Sequence, residues 1–181
     1  IARSVSRRRW PYVMLAGAEE MAPRHNRAAG LIAGAGHSGS TLLGLTLGSH
    51  PDVFYCGEAG KTRLFDDDSA PRKKRVCKLC GEGCPIWGGF RVPPDVDLYE
   101  HVSRLSGRGV VVDSTKDPDW ITERLAELDR VSVPATLMFI RRDGRAVLGS
   151  RLRKSPDVDP AELIDRWMEQ MKRTRDLYDA H

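Results

Sequence analysis

Gly34-Ala-Gly-His-Ser-Gly-Ser-Thr41 has, through Gly34 and Gly39, the glycine spacing of a phosphate-binding loop, G-x-x-x-x-G-K-[ST]. Ser40 stands where that motif carries its lysine, the side chain that reaches the β- and γ-phosphates of ATP. Backbone N–H groups of Gly36, His37, Ser38, Gly39, Ser40 and Thr41, with a helix behind them, can still cradle an oxyanion. The chemistry expected of this loop is binding of a phosphorylated ligand without ATP hydrolysis. A second segment, Arg141-Arg-Asp-Gly-Arg-Ala-Val-Leu-Gly-Ser150, follows the apolar run Ala135-Thr-Leu-Met-Phe-Ile140. Arginine presents a planar fork of donors suited to phosphate, which makes the arginines of this segment candidates for holding an anion. Glu58, after a predicted strand and Gly57, is the candidate general base, because a carboxylate accepts a hydroxyl proton. Lys116 follows the run Val110-Val-Val-Asp113 and is the candidate cation beside it.

These residues need elements to hold them. Apolar runs at 28–33, 53–55, 110–113 and 135–140 read as strands, the last as a central parallel strand. Between and after them the pattern predicts helices over 40–49, about 95–106, 118–129, about 144–153 and 160–178, the first of them buried. Leu163, Ile164, Trp167, Met171 and Tyr178 fall on one face of the last, and Pro160 suits its first turn. Strands separated by helices imply an α/β domain, a central parallel sheet flanked by helices on both faces. Each candidate then lies at a strand's carboxyl end, where open α/β sheets bind ligands. Residues 61–94, rich in Lys, Arg, Asp, Gly and Pro, break the alternation and read as an ordered or functional insertion.

A chain of 181 residues suits one domain, here 28–181. Residues 1–27 hold six Arg and two Glu, which accounts for the whole net charge of +4; the rest carries 23 basic and 23 acidic residues. The arm is expected to be disordered and solvated, and the neutral body gives no reason to expect a nucleic-acid partner. Trp10 to Ala18 is mostly apolar after three arginines, yet Pro11 interrupts it and Glu19-Glu20 follow without a small-x-small cleavage site, so a cytoplasmic location is expected over export. The first residue is Ile1, and Met21 is a candidate start. No run approaches the roughly 20 apolar residues of a membrane span. Cys77-x2-Cys80-x3-Cys84, with Cys56 upstream, leaves three alternatives: a zinc site, thiols, or a disulfide, the last disfavoured in a reducing cytosol.

In its motifs the chain resembles the sulfotransferases that use 3′-phosphoadenosine-5′-phosphosulfate (PAPS), in particular the tyrosylprotein-type and bacterial members. His50-Pro-Asp-Val-Phe-Tyr-Cys-Gly-Glu58 is similar to their H-P-D…C-G-E stretch, Asp113-Ser-Thr-Lys-Asp-Pro118 to their K-D-P motif, and Arg142-Asp-Gly-Arg-Ala146 to their R-D-G-R-A. The likeness covers roughly residues 28 to 178. It implies a P-loop-containing three-layer sandwich in which the glycine loop grips the 5′-phosphosulfate and Arg142 with Ser150 grips the 3′-phosphate. It implies catalytic roles for Glu58, Lys116 and His37. The acceptor class it implies is a small-molecule, carbohydrate or tyrosyl-peptide hydroxyl, or an amine. Two departures stand out: His37 occupies the place of a usual Lys or Arg, and Glu58-Ala59 replaces two consecutive glutamates. Cys84-Pro-Ile-Trp87 looks like a C-P-x-W stretch found in the insertion of bacterial members. The family also continues into another strand and a lid after its last helix, so a fragment or a minimal member is expected of a sequence ending at His181. The other readings are a nucleotide-binding module without turnover and a P-loop kinase, the latter disfavoured by Ser40.

Overall fold

A computed structural model of the chain describes residues 23–65, 67–77, 80–88 and 97–181. Four strands, β1 (Ala28–Gly34), β2 (Val53–Gly57), β3 (Val110–Asp113) and β4 (Ala135–Ile140), form one sheet in the order β2-β3-β1-β4. Every pairing is parallel: Ala29 lies opposite Val111 on one side and Ala135 on the other, and Phe54 lies opposite Val111. Among the described residues five α-helices accompany them: α1 (Ser40–Leu47), α2 (Leu98–Ser106), α3 (Pro118–Arg130), α4 (Gly144–Lys154) and α5 (Pro160–Asp179). The order fixes their sides, because right-handed crossovers leaving in opposite directions put α1 across the sheet from α2 and α3. One face buries Ala29, Leu31, Ala33 and Val111 under Leu98, Tyr99 and Val102 of α2, Ile121 and Leu128 of α3, and Leu177 of α5. The chain is an α/β domain with a four-stranded parallel sheet flanked by helices, an architecture compatible with a three-layer sandwich.

The periodic segments form the expected elements, and their ends are set by local chemistry. Asp97, Asp117, Asp143 and Asp159 cap α2 to α5 by accepting from the N–H of Glu100 (3.2 Å), Asp119 (3.1 Å), Arg145 (2.9 Å) and Ala161 (3.0 Å). Helix α1 differs: Gly39, in the left-handed region at φ 97°, precedes it, and no side chain caps it. It is also not the buried helix its leucines suggest, since Leu42 is 72% and Leu45 60% exposed. Gly44 instead makes its close contact, where an added Cβ would lie 2.2 Å from the Tyr55 ring. The β4 strand is not central but an edge of the sheet, bonded to β1 alone among the described residues, and no residue of it is fully buried. Residues 24–27, grouped with the basic arm by composition, are fastened to the domain: Arg24 pairs with Asp97 (2.6 Å) and buried Asn26 takes the Glu100 carboxylate on its N–H (2.8 Å). The rest of the arm, residues 1–22, lies outside the described residues. Among the described residues no helix is long and apolar enough to cross a membrane.

Candidate functional site

Because the four strands are parallel, the segments after β1, β2, β3 and β4 meet at one edge of the sheet. The chain leaves β1 through Gly34 at φ 142°, where a Cβ would lie 2.5 Å from the Ile140 carbonyl, so the loop can hug the end of β4 only with glycine there. His37 takes the left-handed conformation at φ 69°. Its carbonyl accepts from Arg142 Nη1 at 3.0 Å, and its ring Nδ1 lies 2.9 Å from Ser150 Oγ. Arg142 and Ser150 are thus brought together, with His37 between them. Burial and the positive charges of Lys154, Arg151, Arg142 and Lys116, in that order, lower the His37 pKa from its ordinary value. Arg142, Arg151 and Lys154 form no ion pair with a carboxylate among the described residues, and Arg151 meets only the Gln170 amide oxygen at 3.3 Å. Ser38 is buried, and its hydroxyl has no hydrogen-bond partner there. An uncapped helix start, a loop of small residues and unpaired cations make an electropositive hollow suited to an anion.

On the other side of the loop, Glu58 and Lys116 face each other across the β2–β3 end, with Lys116 Nζ 2.9 Å from Glu58 Oε1 and 2.6 Å from the Ser114 carbonyl. Lys61, on a 3-10 helix over Ala59–Leu64, pairs with the second oxygen of Glu58. Burial pushes the Glu58 pKa up, but the hydrogen bonds and charges of Lys61 and Lys116 together outweigh it and hold the carboxyl at about 2. These groups line a cleft of about 260 Å³ with Arg63, Thr115, Asp117 and Trp120. Trp120 forms part of its wall with guanidinium groups of Arg63 and Arg124 each 4.7 Å from the ring centre. A larger cleft of about 690 Å³ opens on the β4 side between Phe139, Arg141, Arg142, Trp167 and Arg175, and shares Arg142 with the glycine loop.

Besides Lys61, two supporting residues escaped sequence reasoning. Asp113, 1% exposed, ends β3 and accepts five hydrogen bonds: from Ala59 N–H (3.1 Å), Thr115 N–H and Oγ1 (2.7 Å each), Tyr99 OH (2.8 Å) and Trp120 Nε1 (2.9 Å). It ties the turn after β2 to the turn after β3, and so sets Glu58 against Lys116. Gln170 of α5 donates to the carbonyls of Gly34 (3.2 Å) and Lys116 (3.1 Å), joining the two loops from behind. A polar residue in an apolar run was the only available signal for Asp113, and Gln170 sits in an amphipathic helix without any. The two neighbouring arginines divide: Arg145 pairs with Asp143 of its own turn at 2.7 Å, whereas Arg141 lines the larger cleft.

No family model, curated protein or solved structure was found to match the chain. Of the four cysteines, Cys77, Cys80 and Cys84 have sulfur atoms all within 4.8 Å of one another, a cluster that could hold a metal ion. Cys56 does not join them; it is buried and donates to the Val112 carbonyl at 3.1 Å. All four are thiols.

Proposed function

We propose that the domain transfers the sulfuryl group of PAPS to a hydroxyl or amine acceptor. The observation that carries this reading is the gathering of unpaired cations at an uncapped glycine loop, directly beside a carboxylate–lysine pair. The loop from Gly36 to Thr41 would receive the 5′-phosphosulfate, and Arg142 with Ser150 the 3′-phosphate. In the transfer, the acceptor oxygen bonds to sulfur as the bond from sulfur to the phosphate oxygen breaks. The acceptor proton passes to Glu58, and Lys116 neutralises the charge left on the phosphate oxygen. Positioned cations and N–H groups supply the electrostatic stabilisation such a step needs.

Glu58 at about 2 is a weak base while both lysines hold it. An arriving phosphosulfate competes for Lys116 and so removes one of the two partners that lower the carboxyl. A hexahistidine-free preparation incubated with sulfur-labelled PAPS and panels of phenols, sugars, tyrosyl peptides and amines tests the reading. Label transfer that needs no added Mg²⁺ and is lost in Glu58→Gln supports it. Binding of adenosine 3′,5′-bisphosphate with no transfer to any class would favour the second reading, a nucleotide-binding module without turnover, which the doubly held Glu58 makes worth naming.

A further inference from the structure

The Cys77–Cys84 segment has no part in the proposed transfer, yet it is built around its sulfurs. We infer that Cys77, Cys80 and Cys84 form a three-thiolate binding site for Zn²⁺ that fastens the insertion to the wall of the Glu58 cleft. The first support is geometric. Zinc–sulfur bonds of about 2.3 Å in a tetrahedron place sulfurs about 3.8 Å apart, and the three Sγ atoms already lie within 4.8 Å of one another. The backbone folds to bring them there. Gly81, at φ 65°, returns the chain so that its N–H donates to the Cys77 carbonyl at 3.0 Å, a bend that puts Cys77 and Cys80 on one turn. Gly88 closes the second turn by donating to the Cys84 carbonyl at 2.7 Å, and a Cβ there would lie 2.2 Å from the Glu82 carbonyl, so the two turns touch through backbone. The Trp87 N–H points at Cys84 Sγ at 3.4 Å, the outer hydrogen bond that a metal-bound thiolate accepts.

Donor type and charge select the ion. Three soft sulfurs with no carboxylate among them suit zinc and exclude the oxygen-seeking Mg²⁺ and Ca²⁺. The nearby carboxylate, Glu82, is taken by Arg72 at 2.6 Å. Binding releases the three thiol protons and leaves three thiolates on a divalent cation, one net negative charge, in a segment that carries Arg72, Lys73, Lys74, Arg75 and Lys78. The fourth coordination position falls to water or an outside donor. The consequence for the fold lies in Trp87, whose ring meets buried Phe65 edge-on at 6.2 Å just after the 3-10 helix bearing Lys61. A clamped Cys84 therefore holds Trp87, and through it the lysine beside Glu58.

Metal content of the full chain, purified with a reductant and without chelator, tests this directly. About one zinc per chain is expected, together with a thiolate-to-metal absorption band when Co²⁺ replaces it. Cys80 is exposed, so Cys80→Ser should fold, as far-ultraviolet circular dichroism would check, and bind zinc about tenfold or more weakly. Cys56→Ala should keep the full metal complement. Wild-type chain without zinc and without the Co²⁺ band would overturn the inference. So would undiminished zinc in the Cys77→Ser, Cys80→Ser, Cys84→Ser variant, or a disulfide in place of the metal. None of these outcomes depends on whether sulfuryl transfer occurs.

Discussion

Glu58 is held from two sides, and that grip makes its contributions to folding and to chemistry separable. Its carboxyl lies at about 2 against an ordinary 4.5, so the stabilisation is full above about 4.5 and is lost as pH falls toward 2. The side chain is 36% exposed, and solvent screening keeps the effect modest. Glu58→Gln should therefore lose less stability than the parent between pH 4.5 and 2, as denaturant melts at each pH would show. If Glu58 is the base, the same variant retains binding of adenosine 3′,5′-bisphosphate while transfer falls by about 10²–10⁴-fold. His37 offers a second test. Burial, and after it the surrounding cations, lower its pKa, so an anion bound among those cations should offset their part and draw a proton from solution. Calorimetry in two buffers of different ionisation enthalpy should show proton uptake near pH 6.5 that shrinks in His37→Asn; equal uptake in both would assign the proton to the ligand. For Arg142, loss of a hydrogen bond to a charged group costs roughly 1.5–3 kcal/mol. Arg142→Ala should weaken adenosine 3′,5′-bisphosphate by about one to two powers of ten and leave adenosine 5′-phosphate nearly unchanged. Equal weakening of both would place Arg142 at the 5′ end or in the fold.

At the scale of elements, the turn after β3 depends on one carboxylate. Asp113→Ala would leave Tyr99 OH, Trp120 Nε1, the Ala59 N–H and both Thr115 donors without their acceptor in a buried site. Each such orphan costs about 1–3 kcal/mol, so a loss on the order of 3 kcal/mol or more is expected in urea unfolding, against about 1 kcal/mol for Tyr99→Phe. A loss under 1 kcal/mol for Asp113→Ala would mean that water or a rearranged turn replaces the carboxylate. The elements themselves were legible because hydrophobic period and caps coincide: β3 is four apolar-to-acidic residues between Gly109 and a polar turn, and α3 opens on Asp117-Pro118. Position within the layers was less legible. The apolar run of β4 reads as a central strand, but periodicity reports hydrophobicity and not the number of neighbours a strand has. The leucines of α1 likewise read as buried, whereas the helix approaches the sheet through Gly44 because the Tyr55 ring fills the space between them.

Over the whole molecule, a body neutral in total charge brings three cations without carboxylate partners among the described residues together beside the glycine loop. Composition could locate the surplus only in the first 27 residues; folding is what brings Arg142, Arg151 and Lys154, all from the segment that follows β4 and forms α4, against His37 far away in sequence. The glycine loop, Glu58, Lys116 and Arg142 were legible as candidates because each follows a strand, and Ser150, inside α4, only through the motif resemblance. Asp113, Lys61 and Gln170 were not, since their roles exist only across the turns they join. If the domain acts on PAPS, this assembly recognises a nucleotide by two separated phosphates rather than by a metal-bound triphosphate. Isothermal titration of the full chain with adenosine 3′,5′-bisphosphate and with ATP, each with and without Mg²⁺, addresses it most directly. The bisphosphate is expected to bind about tenfold or more tightly than ATP, with an affinity unchanged by Mg²⁺. Tight ATP binding that requires Mg²⁺, with weak binding of the bisphosphate, would contradict it.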